Sequence, residues 1–182
     1  MSILKVARMG HPVLREVEEE VEPTTVRSPA FQKLIDDMIE TMVEYDGIGL
    51  AAPQVHEGVR LFVAGVEGSG DNLKIVPFVN PVVTPLGPET TEDWEGCLSI
   101  PDLRGKVPRA RDVLIRALDR RGKPFEMPLK NFPARVVQHE TDHLDGVLFL
   151  DRMRSFETLT YLEEYSRYHT RRGHDEGDED DE

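Results

Sequence analysis

The run Gln138-His139-Glu140-Thr141-Asp142-His143-Leu144-Asp145-Gly146 constrains this chain more than any other stretch. At 3.6 residues per turn, His139 and His143 lie about 40° apart around a helix and stack on one face. Two imidazoles so placed can grip one metal ion. Glu140 is offset by about 100° from His139, so it joins poorly as a third ligand. It is instead placed to reach a water at such an ion, where a general base belongs. The plainer reading is a solvated helix face that happens to carry two of the chain's six histidines. Two ligands do not complete a site.

The rest of the chain must therefore supply a scaffold and further donors. Its 182 residues, 38% hydrophobic and 31% charged, suit one soluble globular domain with a sizeable core. No apolar run approaches the roughly 18 residues needed to span a bilayer. The N-terminal stretch Met1-Ser2-Ile3-Leu4-Lys5-Val6 has neither the apolar core of a signal peptide nor the character of a transit peptide. A cytoplasmic protein is the expectation, and the single cysteine, Cys97, agrees with a reducing compartment. The net charge of −13 is partly local: the last nine residues hold seven acids and no Lys or Arg, and without them the charge is −6. Residues 173–182 are expected to be a disordered, solubilising tail, and 1–172 a single domain. An acidic chain of this kind should not bind nucleic acid directly, because phosphate contacts need basic residues.

In chain order, the Gly10-His11-Pro12 region reads as an irregular surface arm, and an acidic link runs over 16–22. Ser28-Pro29 opens an amphipathic helix in which Phe31, Leu34, Ile35, Met38, Ile39, Met42 and Val43 recur on one face; it stops at Asp46-Gly47. Gly47-Ile48-Gly49-Leu50-Ala51-Ala52-Pro53-Gln54-Val55 is a small-residue loop, either a tight packing turn or a substrate contact. Strands are expected over 59–66, over 74–80 up to Pro81, over 113–118 and over 124–129, with a Gly-rich turn at 68–72 and a hairpin turn at 120–123. Residues 81–88 read as loop or edge strand. Asn131-Phe132-Pro133 opens the histidine helix and Gly146 caps it. A short apolar extended run over 147–150 and a closing helix over 155–168 follow. The fold class is α+β: short, mainly antiparallel strands around a buried central helix carrying the His-Glu-x-x-His motif, with an N-terminal amphipathic helix and a C-terminal helix.

A candidate third ligand is Cys97, in a segment bounded by Gly96 and Pro101. A thiolate binds zinc or iron(II) strongly, although a lone cysteine is more often a small buried hydrophobe. Three blocks decide between these readings: Gly47-Ile48-Gly49-Leu50-Ala51-Ala52-Pro53-Gln54, Glu95-Gly96-Cys97-Leu98-Ser99 and the 138–146 run. Together, in this order and spacing, they resemble the peptide deformylases, and the likeness extends from about Arg8 to the closing helix.

The resemblance implies a divalent metal held by Cys97, His139 and His143. Iron(II) comes first, with zinc, nickel or cobalt able to substitute. It implies Glu140 as catalytic acid/base, and Gln54 with the Leu98 N–H as donors to the reacting oxygen. It implies Ile48, Gly49 and Gly96 as backbone positions that hold an extended peptide, with Arg104 near the cleft mouth. Trp94, Arg135 and Val136 are expected to shape the side-chain pocket, and Glu95 to pair with Arg109 behind the cysteine loop. The implied substrate is the N-formyl-methionyl end of a nascent polypeptide, met as a monomer at the ribosome, and the products are formate and a free amino terminus. Two other readings compete: an endopeptidase with a downstream third ligand, for which His169 is the candidate, and a structural metal module, which would want four protein ligands.

Overall fold

The computed structural model describes residues 2–67 and 73–170, so the expected 68–72 turn and 173–182 tail lie outside the described residues. The chain opens with an irregular arm and a 3-10 turn, Pro12–Arg15, where the His11 ring accepts a hydrogen bond from the Val13 N–H at 3.3 Å. Two helices follow, α1 (Pro23–Val26) and α2 (Pro29–Glu44). Ser28 caps α2 as its sequence predicts, its Oγ accepting from the Phe31 N–H at 3.2 Å with Pro29 in the first turn.

Strands β1 (Gly49–Ala51), β2 (Leu61–Glu67) and β3 (Lys74–Pro85) come next, with a 3-10 turn over Ala52–Val55 between the first two. Then come β4 (Thr90–Cys97), β5 (Ile100–Ala110), β6 (Asp112–Leu118) and β7 (Pro124–Lys130). The chain continues through α3 (Asn131–Leu144), α4 (Phe149–Arg152), a 3-10 turn at Phe156–Thr158, β8 (Thr160–Tyr161) and α5 (Leu162–Tyr168). The strands form two antiparallel sheets, one in the order β1-β2-β3-β6-β7 and one in the order β4-β5-β8. The protein is thus a mixed α/β fold with antiparallel sheets and a C-terminal helix.

Strand β2 shows how the core is organised. Six of its seven residues are buried, because it is covered on both faces. Leu61 and Val63 pack with Met38 and Met42 of α2, while Phe62 and Ala64 pack with Val137 and Leu144 of α3. A third apolar cluster, including Ile100, Val107, Leu148 and Phe149, lies under the β4–β5 hairpin and takes in Cys97. Gly146, just past α3, has φ +68°, and a Cβ there would come within 2.7 Å of the Arg15 carbonyl oxygen. Only glycine fits that cap.

Four local expectations need correction. Pro81 does not end its strand: Asn80 takes φ +50° at a bulge, its side chain bonds both ways to Val21, and β3 runs on to Pro85. The glycine loop is partly a strand, β1. The expected extended run over 147–150 stops at Leu148, because α4 begins at Phe149, with the Leu148 N–H donating to Asp151. The closing helix is broken: Thr160 and Tyr161 pair with Arg104 and Leu103 of β5 before α5 starts.

Candidate functional site

Helix α3 and the end of β4 bring the candidate ligands together. His139 and His143 project from one side of α3, their ring centroids 5.0 Å apart. Cys97 ends β4, just before the turn at Leu98 and Ser99. One ligand atom from each of Cys97, His139 and His143 lies within 4.8 Å of the others, and all three residues are buried. The Cys97 Sγ to His143 Nε2 distance is 3.2 Å. Two ligands bound to one ion with bonds of about 2.3 Å (S) and 2.0 Å (N) in tetrahedral geometry sit roughly 3.5 Å apart. The spacing and the donor set, one sulfur and two imidazoles, therefore fit a single divalent ion such as iron(II) or zinc. Three protein donors leave a position for a reactant, as catalytic rather than structural sites do.

The electrostatics favour the ligand form of the thiol. Burial pushes the Cys97 thiol up, but the charge of His143 and the hydrogen bond to His139 outweigh it and hold the thiol well below its ordinary value. His139 moves the other way: burial lowers it, and its contacts with Cys97 and Glu95 raise it above the usual imidazole range. Glu140 stands apart. Burial lifts its carboxyl to about 7, against the lowering influence of His139 and His143. Its Oε2 is buried without a protein hydrogen-bond partner among the described residues. Groups tuned towards neutrality in a cleft are suited to acid–base work.

A buried ionic cluster stands behind the ligands. Glu95 accepts from Arg109 at 2.9 and 3.0 Å and from Arg135 at 2.7 Å, and its Oε2 lies 2.9 Å from Nδ1 of His139. Burial raises the Glu95 carboxyl, but His139 and Arg109 outweigh it and hold the group below the carboxylate range. The Glu95 contact occupies Nδ1 of His139, which leaves Nε2 for an ion; a carboxylate partner of this kind fixes ring orientation. Arg109 also pairs with Asp142, which Arg152 clamps at 2.7 and 3.1 Å. The expected Glu95–Arg109 pair is present. Asp142 and Arg152 were not anticipated, because they join four separate elements only in the folded chain.

The other expected residues surround a cleft of about 900 Å³. Gln54, Gly96, Leu98 and Arg104 line it beside Cys97, His139 and Glu140. Ile48 and Gly49 form the opposite rim, while Trp94, Arg135 and Val136 contribute further walls. His143 lies behind this surface and is almost fully buried. The Gln54 side chain folds back: its Oε1 accepts from the Ala51 N–H at 2.8 Å, which aims Nε2 at Ser99 Oγ, 3.1 Å away, and Cys97 Sγ, 3.4 Å away. An added Cβ at Gly49 would sit 2.2 Å from Glu140 Oε1, so β1 passes directly against the acid. Strands β1 and β4 are each at the edge of their sheet, which leaves backbone groups facing the cleft from both sides. His169 is not near the ligand trio; it packs on Trp94 at 4.9 Å between ring centroids.

With this geometry in place, comparison with known proteins is specific. The family model described as polypeptide deformylase matches residues 3–158. A peptide deformylase of Fusobacterium nucleatum is 44% identical over 151 residues, which cover 83% of this chain and 84% of the relative. One from Leptospira biflexa is 38% identical over 170 residues, covering 90% and 95%. A Met-Ala-Ser-bound crystal structure of a class I type b peptide deformylase from Acinetobacter baumannii superposes with a TM-score of 0.79 at 37% identity, covering 84% of this chain and all of that one.

Proposed function

The chain belongs to the polypeptide deformylase family, enzymes that remove the N-formyl group from nascent peptides, and we propose that it does so with the residues of this cleft. The reading rests above all on one observation: a thiolate and two imidazoles converge within 4.8 Å on a cleft that also holds a buried, near-neutral glutamate. A divalent ion held by Cys97, His139 and His143 would supply a Lewis acid that acidifies water and polarises the formyl oxygen. Iron(II) is our assignment, with zinc, nickel or cobalt able to substitute.

The chain's own groups do the rest. Glu140 takes a proton from the attacking water and returns it to the departing amine, a relay suited to a carboxyl poised near neutrality. The Gln54 amide, pinned through Ala51, and the Leu98 N–H donate to the formyl oxygen as charge gathers there. The substrate backbone lies extended between Ile48-Gly49 on one edge and Gly96 on the other, added as a strand. Arg104, laid across Gly96, orients the peptide at the mouth. The methionine side chain lies against Val136 and the stem of Arg135. The Acinetobacter structure has Met-Ala-Ser bound, which supports a short methionyl peptide as the kind of ligand this cleft takes.

We read α3 as the central buried helix of one catalytic domain, residues 1–172, because it packs against strands of both sheets. The partners assigned are formyl-methionyl nascent chains at the ribosome, met in the cytoplasm by a monomer, with no direct contact to nucleic acid or membrane. Among the described residues no helix is long and apolar enough to cross a membrane. The test is Glu140→Ala: it should keep its metal by elemental analysis and lose at least about 100-fold in formate release from formyl-Met-Ala-Ser. Native turnover in that variant would remove Glu140 from the mechanism.

A further inference from the structure

The family match ends at residue 158, yet the chain beyond it reaches the cleft. Leu162, the first residue of α5, lines the cleft alongside Trp94 of β4. Tyr165 meets the Trp94 indole edge-on at 5.0 Å between centroids, and His169 packs on it at 4.9 Å. Lys106, the cross-strand partner of Trp94, places its Nζ 5.5 Å from the ring centroid. The indole is therefore held on several sides. Aromatic contacts of this geometry are favourable beyond their buried area.

The approach to the cleft is fixed as well. Thr160 and Tyr161 pair with Arg104 and Leu103, so the strand that delivers α5 is continuous with the sheet bearing the cleft arginine. Arg167 pairs with Glu163 and Glu164 within α5 itself. Tyr165 of α5 and His169 just past its end are the side chains that meet Trp94 of the sheet. Trp94 and Gly96, two positions apart on β4, both line the cleft, with a bulge in the strand between Glu95 and Cys97. A peptide laid along Gly96 has this wall beside it, away from the ligand trio.

We propose that α5 and Trp94 form a specificity wall that contacts the second or third side chain of the formylated peptide and favours a large apolar or aromatic residue over glycine. Leu162 and Trp94 touch that side chain; Tyr165 and His169 are positioning residues that hold the indole. The proposal rests on the deformylase reading of the same cleft.

The experiment measures kcat and KM for formate release from formyl-Met-Phe-Ser, formyl-Met-Gly-Ser, formyl-Met-Ser-Phe and formyl-Met-Ser-Gly. The unaltered protein should prefer Phe to Gly by about tenfold at one of the two positions, the lower end for an apolar group meeting an apolar pocket. Leu162→Ala should bring that ratio to about one, the change falling on KM. Tyr165→Ala should do the same, while Tyr165→Phe keeps the preference. Trp94 is the only tryptophan, so adding the product Met-Phe-Ser should change the protein's emission, and less so in Tyr165→Ala. Phe-to-Gly ratios in Leu162→Ala that equal those of the unaltered protein at both positions, with formate still released, would overturn this inference alone. No release from any of the four peptides by the unaltered, metal-loaded protein would overturn the deformylase reading and this inference with it.

Discussion

Replacing Glu140 by glutamine should stabilise the metal-free protein in alkaline solution while abolishing its chemistry. The side chain is buried, and its carboxyl rises from an ordinary 4.5 to about 7 in the folded state. Below pH 4.5 the group is protonated in both folded and unfolded chains and makes no difference. As pH rises past that value, the unfolded chain ionises first, so the folded state loses ground. The loss is complete once the folded protein has itself ionised, above about pH 7. At about 1.4 kcal/mol per pH unit, the deficit reaches about 3 kcal/mol. Glutamine keeps the shape and cannot ionise, so it escapes this deficit. The assay is thermal or urea unfolding of chelator-treated protein at pH 5 and pH 8. Glu140→Gln should gain little at pH 5 and about 3 kcal/mol at pH 8, or roughly 6–12 °C in Tm for a chain this size. Restoring a divalent ion should narrow the gap, because a nearby cation favours the carboxylate. Equal gains at the two pH values would refute the reasoning, since no ionisation would then underlie them.

Other changes follow from the same contacts. Cys97→Ser should fold and retain little metal, which elemental analysis of anaerobically purified protein would report; full occupancy would take Cys97 out of the site. Gly49→Ala drives a Cβ into the Glu140 carboxyl, so formate release should fall by about 100-fold, with a stability cost of about 1–3 kcal/mol in denaturant. Glu95→Ala leaves Arg109 and Arg135 buried without their carboxylate and should cost about 3–5 kcal/mol. A double-mutant cycle of Glu95 with Arg109 should show coupling above about 1 kcal/mol, and independence of the two sites would dismiss the bracing role.

Much of the site was legible before folding, because metal chemistry needs particular residues at particular spacings. His139 and His143 announce a helix with two imidazoles on one face, and the Gly96-Cys97-Leu98 segment brings a sulfur beside them. What escaped was whatever depends on distant partners. The Glu95–Arg109 pair was expected, but Asp142 and Arg152 look like ordinary surface charges along the chain, and only the packing of α3 on the β4–β5 hairpin joins them and the Arg135 guanidinium to that pair. Strands β4 and β5 were missed because Thr90-Thr91-Glu92-Asp93 and the prolines of β5 give no apolar alternation. The closing helix was overcalled. Its apolar spacing holds in α5, but Thr160 and Tyr161 gain more as an edge pair on β5 than as a helical turn.

The most direct test of the account is formate release from formyl-Met-Ala-Ser by anaerobically prepared protein whose metal has been counted. The structure predicts about one divalent ion per chain and one formate for each new amino terminus, with no cleavage of the internal bonds. Metal-loaded protein that releases no formate, or that cuts the Met-Ala bond instead, would contradict it.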